Sequence, residues 1–146
     1  MKPVRNEVEI DRPAAEVFAF LEDVTNNTQW LKGMRSCTWT TEPPVRVGSR
    51  YEQVAEFLGK EIRTSFEVTA HEPGRLVTIR SREGSSFPLT VTRLVEPIDD
   101  QRSRVIETVE SDPGGFYRIA QPVLRAMVAR NIARDYRSLK TLLEGG

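Results

Sequence analysis

The sequence is poor in the residues that most often bind metals or carry acid–base chemistry. Its 146 residues include one cysteine, Cys37, and one histidine, His71. A lone cysteine cannot close an internal disulfide, and one cysteine with one histidine supplies too few ligands for a structural zinc. The chain also lacks the common zinc-protease, redox and serine-hydrolase motifs, the phosphate loop and the dinucleotide-binding glycine pattern. We therefore expect no metal and no other cofactor, and we expect Cys37 to be a small buried residue.

An excess of charge of one sign is also missing. Lysine and arginine number 21, aspartate and glutamate number 21, and the formal net charge is zero. Nucleic-acid binders normally carry a basic excess that displaces counterions from phosphates, so we expect no nucleic-acid partner. No apolar run approaches the roughly 20 residues of a spanning helix, and residues 1–7 have no apolar segment typical of a secretory signal. Together with the single cysteine, this favours a cytoplasmic protein without integral membrane association.

The hydrophobic periodicity that is present predicts an α+β domain. Residues 4–10 alternate between apolar and polar as in a half-buried strand, and residues 14–21 and 23–33 predict two short helices or turns. From residue 35 the pattern has period two, and it continues through five successive predicted strands. A long apolar stripe after Pro122 then predicts a C-terminal helix, and its members are Leu124, Val128, Ile132, Tyr136, Leu139 and Leu143.

Turn residues predict how the strands pair. Gly59-Lys60 suits a two-residue hairpin turn and Pro73-Gly74 a type II turn, while two further loops are centred on Gly84 and Asp100. One choice of face then carries the apolar residues through successive strands, which favours an antiparallel meander. The predicted cross-strand partners include Gln53 with Phe66, Ala70 with Val77, Val68 with Ile79, Ile79 with Leu89, and Arg93 with Glu107.

Four segments resemble the polyketide cyclase/dehydrase family of the START-like (birch-pollen-allergen-like) superfamily. Residues 10–23, followed by Trp30, resemble its opening, and residues 73–76 its central turn. Residues 103–105 and 135–144 are similar to its last strand and closing helix, although a Gly-Thr pair common before the former is absent. The resemblance covers the whole chain and implies one domain, residues 1–146, with the helix-grip fold. In that fold a curved seven-stranded antiparallel sheet wraps around a long C-terminal helix, with two short helices between the first and second strands.

The resemblance also implies a cavity between the concave face of the sheet and the long helix. Polar residues interrupt the inward-facing apolar pattern, as they do in ligand pockets with mostly apolar walls. The candidate ligand-binding residues are Tyr51, Gln53, Phe57, Phe66, Ser81, Phe87, Leu89, Arg93, Glu107, Tyr117, Met127 and Asn131.

Arg93 and Glu107 are the strongest candidates for a functional pair in this set, because the predicted register makes them neighbours on the concave face. They are the candidates for catalysis, with Glu107 as a general base, or for holding a carboxylate, phenol or carbonyl of a ligand. The alternative is a structural or solvent-exposed pair. On the cavity interpretation, replacing Arg93 with alanine should weaken ligand binding with little loss of stability. His71 is expected to face solvent near the Pro73-Gly74 turn.

Three functions remain open from the residues. The first is a carrier or sensor that binds a hydrophobic small molecule of the lipid, polyketide or isoprenoid class. The second is an enzyme of the polyketide cyclase or dehydratase type, acting in the same cavity. The third is an interaction module that binds a partner through its surface. The sequence shows no large apolar surface stripe that would favour this function. A weak homodimer through the long helix or a strand edge is compatible with each.

Overall fold

The computed structural model describes residues 3–57, 59–83, 88–111 and 121–145. A seven-stranded antiparallel sheet has the strand order β1-β7-β6-β5-β4-β3-β2. The strands are β1 (Val4–Ile10), β2 (Met34–Trp39), β3 (Arg50–Phe57), β4 (Lys60–Glu72), β5 (Leu76–Ser81), β6 (Leu89–Pro97) and β7 (Ser103–Ser111). The helices are α1 (Ala14–Glu22), a 3₁₀ helix (Val24–Gln29) and α2 (Gln121–Gly145). This is the predicted helix-grip architecture, and the fold class is confirmed.

Alternation along the strands separates a buried concave face from an outer face. In β7 the residues Ser103, Val105, Glu107 and Val109 are buried while those between them are half-buried. The concave face packs against α1, the 3₁₀ helix and α2 around one hydrophobic core. The core includes the inward-facing strand residues Tyr51, Phe66, Val68, Val77 and Ile79.

The long helix α2 runs alongside the edge strand β1 and is bonded to it near both ends. Arg125 donates to the carbonyl of Pro3 over 3.1 Å, and Lys140 donates to the carbonyl of Glu9 over 2.8 Å. The side chains of Tyr136 and Leu139 are fully buried in the second half of the helix. In the described residues, no helix has both the length and the apolar character needed to cross a membrane.

The predicted strand registers are partly right. Arg93 lies opposite Glu107 and Val68 opposite Ile79, as predicted. Gln53 pairs with Thr64, not Phe66, because Gly59, at φ +78°, takes the second central position of the β3–β4 turn. Ile79 likewise pairs with Val91 and not with Leu89. Both errors are shifts of two residues, which leave the inward face unchanged because side chains alternate with period two.

A bulge in β4 overturns the prediction for His71. The register shifts between Val68 and Ala70, so that Ala70 pairs with Thr78 and His71 with Val77. The extra residue reverses which side chains face inward beyond it. His71 therefore faces the core side, where its side chain is only 11% exposed, instead of solvent.

Candidate functional site

Arg93 and Glu107 form a buried ion pair on the concave face, on the second and third strands from the β1 edge. Strands β6 and β7 place them directly opposite each other, and Arg93 Nε donates to Glu107 Oε1 over 2.9 Å. The two residues are only 7% and 5% exposed. Their predicted inward orientation is confirmed, and the alternative of a solvent-exposed pair is wrong. A charge pair this deeply buried keeps its geometry because either ion alone would be poorly solvated.

Two aromatic side chains from outside the sheet complete this pair. Tyr136 of α2 donates its hydroxyl proton to Glu107 Oε1 over 2.9 Å. The guanidinium of Arg93 lies over the ring of Trp30, 5.1 Å from its centroid, a cation–π geometry. The rings of Trp30 and Tyr136 meet edge to face at 4.9 Å. The ion pair is thus held from the sheet, from the 3₁₀-helix region and from α2.

The Glu107 carboxylate beside Arg93 helps to keep the guanidinium charged. Burial by itself would lower the pKa of Arg93, but the ionised form of Tyr136 at high pH, the Glu107 carboxylate and the ionised form of Tyr51 outweigh burial and raise that pKa above its ordinary value. Burial raises the pKa of both tyrosines well above the usual value. At neutral pH these two tyrosines are therefore protonated, and each can donate a hydrogen bond but cannot act as a base.

Tyr51 differs from Tyr136 in that its hydroxyl has no partner among the described residues. Its ring stacks on Phe66 at 5.3 Å and meets Trp39 edge to face at 5.4 Å. The hydroxyl is buried and makes no hydrogen bond within the described part of the chain, and the same holds for the indole N–H of Trp30. Buried polar groups are nearly always satisfied, so two unpaired donors beside Arg93 call for a partner.

A small void of about 10 Å³ reaches the side chain of Arg93 from the side of α1. Apart from Arg93 and Glu22 its lining is apolar. The apolar members are Leu21, Val24, Trp39, Val68, Val77, Ile79 and Val91. Glu22 in turn lies 3.0 Å from His71 Nε2. A void of about 10 Å³ has room for about one water molecule, so it adds a polar spot beside Arg93 and is not by itself a small-molecule pocket.

The remaining predicted site residues are distributed over three environments. Gln53 is half-buried between Cys37 and Thr64 on the concave face, and Met127 and Asn131 are half-buried on α2. Ser81 lies opposite the inward-facing Phe66 and Leu89 packs against the core, and both also line an open groove of about 980 Å³ whose other walls include outer-face residues such as Arg50. Phe87, Tyr117 and the side chain of Phe57 lie outside the described residues.

Sequence reasoning does not identify three contributors to this site. It places Tyr136 in the apolar stripe of the C-terminal helix, names Trp30 only as part of a family resemblance, and expects His71 to face solvent. A tyrosine in an otherwise aliphatic helical stripe is the available signal, because a buried phenol requires a hydrogen-bond partner. Among the described residues no three His, Cys, Asp or Glu side chains converge as a metal site would require.

Comparison with protein families decides the membership of this chain. The model of the family described as "Polyketide cyclase / dehydrase and lipid transport" matches residues 1–144. The chain belongs to this family. The comparison with curated proteins finds no match.

Several solved structures have the same fold as this member of the polyketide cyclase/dehydrase family. TTHA0849 from Thermus thermophilus is 20% identical with a TM-score of 0.80, over 95% of this chain and 94% of that one. The Zhui aromatase/cyclase from Streptomyces sp. R1128 is 16% identical with a TM-score of 0.76, over 94% and 90% of the two chains. A START superfamily protein from Mycobacterium smegmatis is 17% identical with a TM-score of 0.69, over 98% and 94%. At these identities the likeness establishes the fold.

Removing the two tyrosine hydroxyls of this family member separately should give unequal effects. Tyr136→Phe deletes a donor to a buried carboxylate and is expected to lower the free energy of unfolding by about 1.5–3 kcal/mol. Tyr51→Phe deletes a hydroxyl without a partner in the described part of the chain and is expected to leave that free energy unchanged or slightly higher. Urea denaturation of both variants at neutral pH measures the difference. Equal losses would contradict the assignment of Tyr51 as unpaired.

Cys37 is expected to be an inert thiol in this family member. Burial raises the pKa of Cys37, although a hydrogen bond with Asn27 and the charge of Arg93 oppose that rise. The thiolate is the reactive form, so both burial and the raised pKa slow its reaction. Dithiodipyridine should therefore react slowly with the native protein and rapidly after denaturation in guanidinium. Fast reaction of the folded protein would show that Cys37 is accessible.

Proposed function

We propose that this protein binds a hydrophobic small molecule of the lipid, polyketide or isoprenoid class on the concave face of the sheet, as a carrier or sensor. The observation that carries the proposal is the buried Arg93–Glu107 pair beside an apolar void. A solid core gains little from such a pair, since apolar residues of similar volume are often as stabilising. A ligand-binding face, in contrast, uses a few oriented polar groups among apolar ones.

The burial pattern of α2 supports the location between helix and sheet. Tyr136 and Leu139 in the second half of the helix are fully buried. In the first half, Met127, Val128 and Asn131 are only half-buried. The concave face has its own half-buried residues at Gln53, Ala55, Leu89 and Val91. Closely packed cores leave few such residues, so this gradient favours a helix and sheet that separate toward one end.

Tyr51 supplies a hydrogen-bond donor that a ligand would satisfy. Its hydroxyl is buried, is protonated at neutral pH and has no partner within the described residues. A ligand oxygen that accepts this bond would remove the cost of an unpaired buried donor. On this proposal the described part of the ligand-binding set is Tyr51, Gln53, Phe66, Ser81, Leu89, Arg93, Glu107, Met127 and Asn131.

A cyclase or dehydratase is the second candidate, and Glu107 is the observation that favours it. This carboxylate is buried and accepts hydrogen bonds from Arg93 and Tyr136 on one oxygen. Enzyme chemistry would require Glu107 to take a proton from the substrate, because the two tyrosines are already protonated. Its engagement by two donors stabilises the carboxylate in place, which fits a positioning role better than proton transfer. We therefore rank binding before catalysis.

Native mass spectrometry of the purified protein tests the proposal. We expect a mass above that of the chain alone, and denaturation should release an apolar molecule that can be identified. Turnover of that molecule, and not only stoichiometric binding, would favour the enzyme. Protein without bound molecules, joined by no thermal shift across a panel of lipids and polyketides, would contradict both functions.

A further inference from the structure

The charges around Arg93 leave no net positive charge. Arg93 and Glu107 are bonded to each other at 2.9 Å, so their site is a neutral pair. Glu22 is the other charged residue that lines the void, and it faces His71 at 3.0 Å. Arg93, Glu107 and Glu22 together therefore sum to one negative charge when His71 is neutral and, with His71 protonated, to zero. No positive charge is left over in this set for an anion.

An anionic ligand would consequently leave a charge unpaired in the interior. A buried charge without a counterion is strongly disfavoured, because the protein does not replace its hydration. A neutral oxygen acceptor avoids this penalty. It can still bond to Arg93, since a guanidinium has five N–H donors and the bond to Glu107 uses the one on Nε. The unpaired donors of Tyr51 and Trp30 also suit an acceptor.

We propose that the polar end of the ligand is a neutral carbonyl oxygen and that Glu107 sets this preference by cancelling the charge of Arg93. Ketones, esters or enones with an apolar body then bind, and carboxylates and phosphates are rejected. Glu107 acts here as a specificity-determining residue through Arg93. This inference rests on the proposed ligand-binding function and adds the chemistry of the ligand to it.

Three naphthalenes substituted at the same ring position provide matched probes. Acetylnaphthalene carries a neutral carbonyl, naphthoate carries a carboxylate of similar shape, and isopropenylnaphthalene replaces the carbonyl oxygen with a methylene group. Fluorescence titration of the wild-type protein at neutral pH gives the three dissociation constants. We expect the dissociation constant of the ketone to be lower than that of naphthoate by about tenfold or more. The hydrocarbon should bind several-fold more weakly than the ketone, because it cannot accept a hydrogen bond.

Glu107→Gln tests the origin of the preference. The amide keeps an acceptor oxygen for Arg93 and Tyr136 but removes the carboxylate that is paired with the guanidinium. The ratio of ketone to naphthoate affinity should shift by about tenfold or more toward naphthoate. Glu110→Gln is the matched control, since Glu110 lies on the same strand with an exposed side chain. It removes the same charge and should leave the ratio unchanged. Where Glu107→Gln does not fold, the ratio of ketone to naphthoate affinity in the wild-type protein tests the inference.

The outcomes separate this inference from the function on which it rests. Binding of all three probes with similar affinity, or tighter binding of naphthoate, overturns the neutral-carbonyl preference while ligand binding stands. Binding of none of them, with no molecule released from the native protein, overturns the ligand-binding function and this inference with it. A released molecule gives an independent result even where the probes fail. A neutral carbonyl compound supports the inference, and a carboxylate or phosphate overturns it.

Discussion

Replacing Glu107 with alanine is expected to lower the free energy of unfolding by about 3–5 kcal/mol, the usual cost of leaving a buried ion without its partner. Arg93 would remain in the core, 7% exposed, with no counterion opposite it on β7. Tyr136 would also lose the acceptor of its hydroxyl proton. Urea denaturation at neutral pH, followed by circular dichroism, measures the loss.

Two control variants show whether the buried charge is the cause. Glu110→Ala removes a carboxylate from an exposed position of the same strand and should change the free energy of unfolding by no more than about 0.5 kcal/mol. Combining Arg93→Met with Glu107→Leu removes both charges and should recover most of the loss, because apolar side chains can replace a buried pair. A loss below about 1 kcal/mol for Glu107→Ala would mean that Arg93 is solvated or has another counterion.

The same burial revises the expectation for Arg93→Ala. The sequence alone predicts that this replacement weakens binding with little loss of stability. In the structure it would leave Glu107, 5% exposed, as the unpaired ion. Loss of stability and loss of binding are then expected together. The comparison of Glu107→Gln, which preserves the shape of the side chain, with wild-type protein is therefore the better probe of ligand recognition.

The sheet was predictable because its signal is local and repeats. Alternation along each strand determines the inward face, and a shift of two residues in a hairpin, as between Gln53 and Thr64, does not change that face. The bulge between Val68 and Ala70 was not predictable in this way. An extra residue leaves no mark in the alternation until the partner strand is known, and for this reason the alternation assigns His71 to the wrong face.

The site was predictable only within the sheet. Arg93 and Glu107 are neighbours through the β6–β7 register, which follows from one hairpin. Trp30 and Tyr136 reach the same pair from segments far away in the chain, and their positions depend on how α2 packs against the sheet. No periodicity within a segment encodes that packing. The part of the site that depends on contacts between distant segments therefore required the structure.

Gly33 shows how the segment that carries Trp30 is held against the sheet. The residue has φ +86°, and its carbonyl accepts a hydrogen bond from the backbone N–H of Glu56 over 2.7 Å. A Cβ at this position would lie 2.8 Å from the carbonyl oxygen of Glu56. Both contacts involve backbone atoms, which cannot rotate away as a side chain would. Only glycine fits here without moving β2 relative to β3.

Gly33→Ala is accordingly expected to lower the free energy of unfolding by about 2–5 kcal/mol. About 1–2 kcal/mol comes from the left-handed conformation, and about 1–3 kcal/mol from the backbone shift that relieves the contact. Gly59→Ala is the matched control, because Gly59 has a similar φ of +78° with nothing within 4 Å of its Cβ position. It should show the conformational cost alone. Chemical denaturation of both variants gives the difference, and equal losses would mean that the approach of Gly33 to Glu56 is not a tight contact in solution. A larger loss at Gly33, accompanied by a change in Trp30 fluorescence, would show that this contact positions the aromatic ring over Arg93.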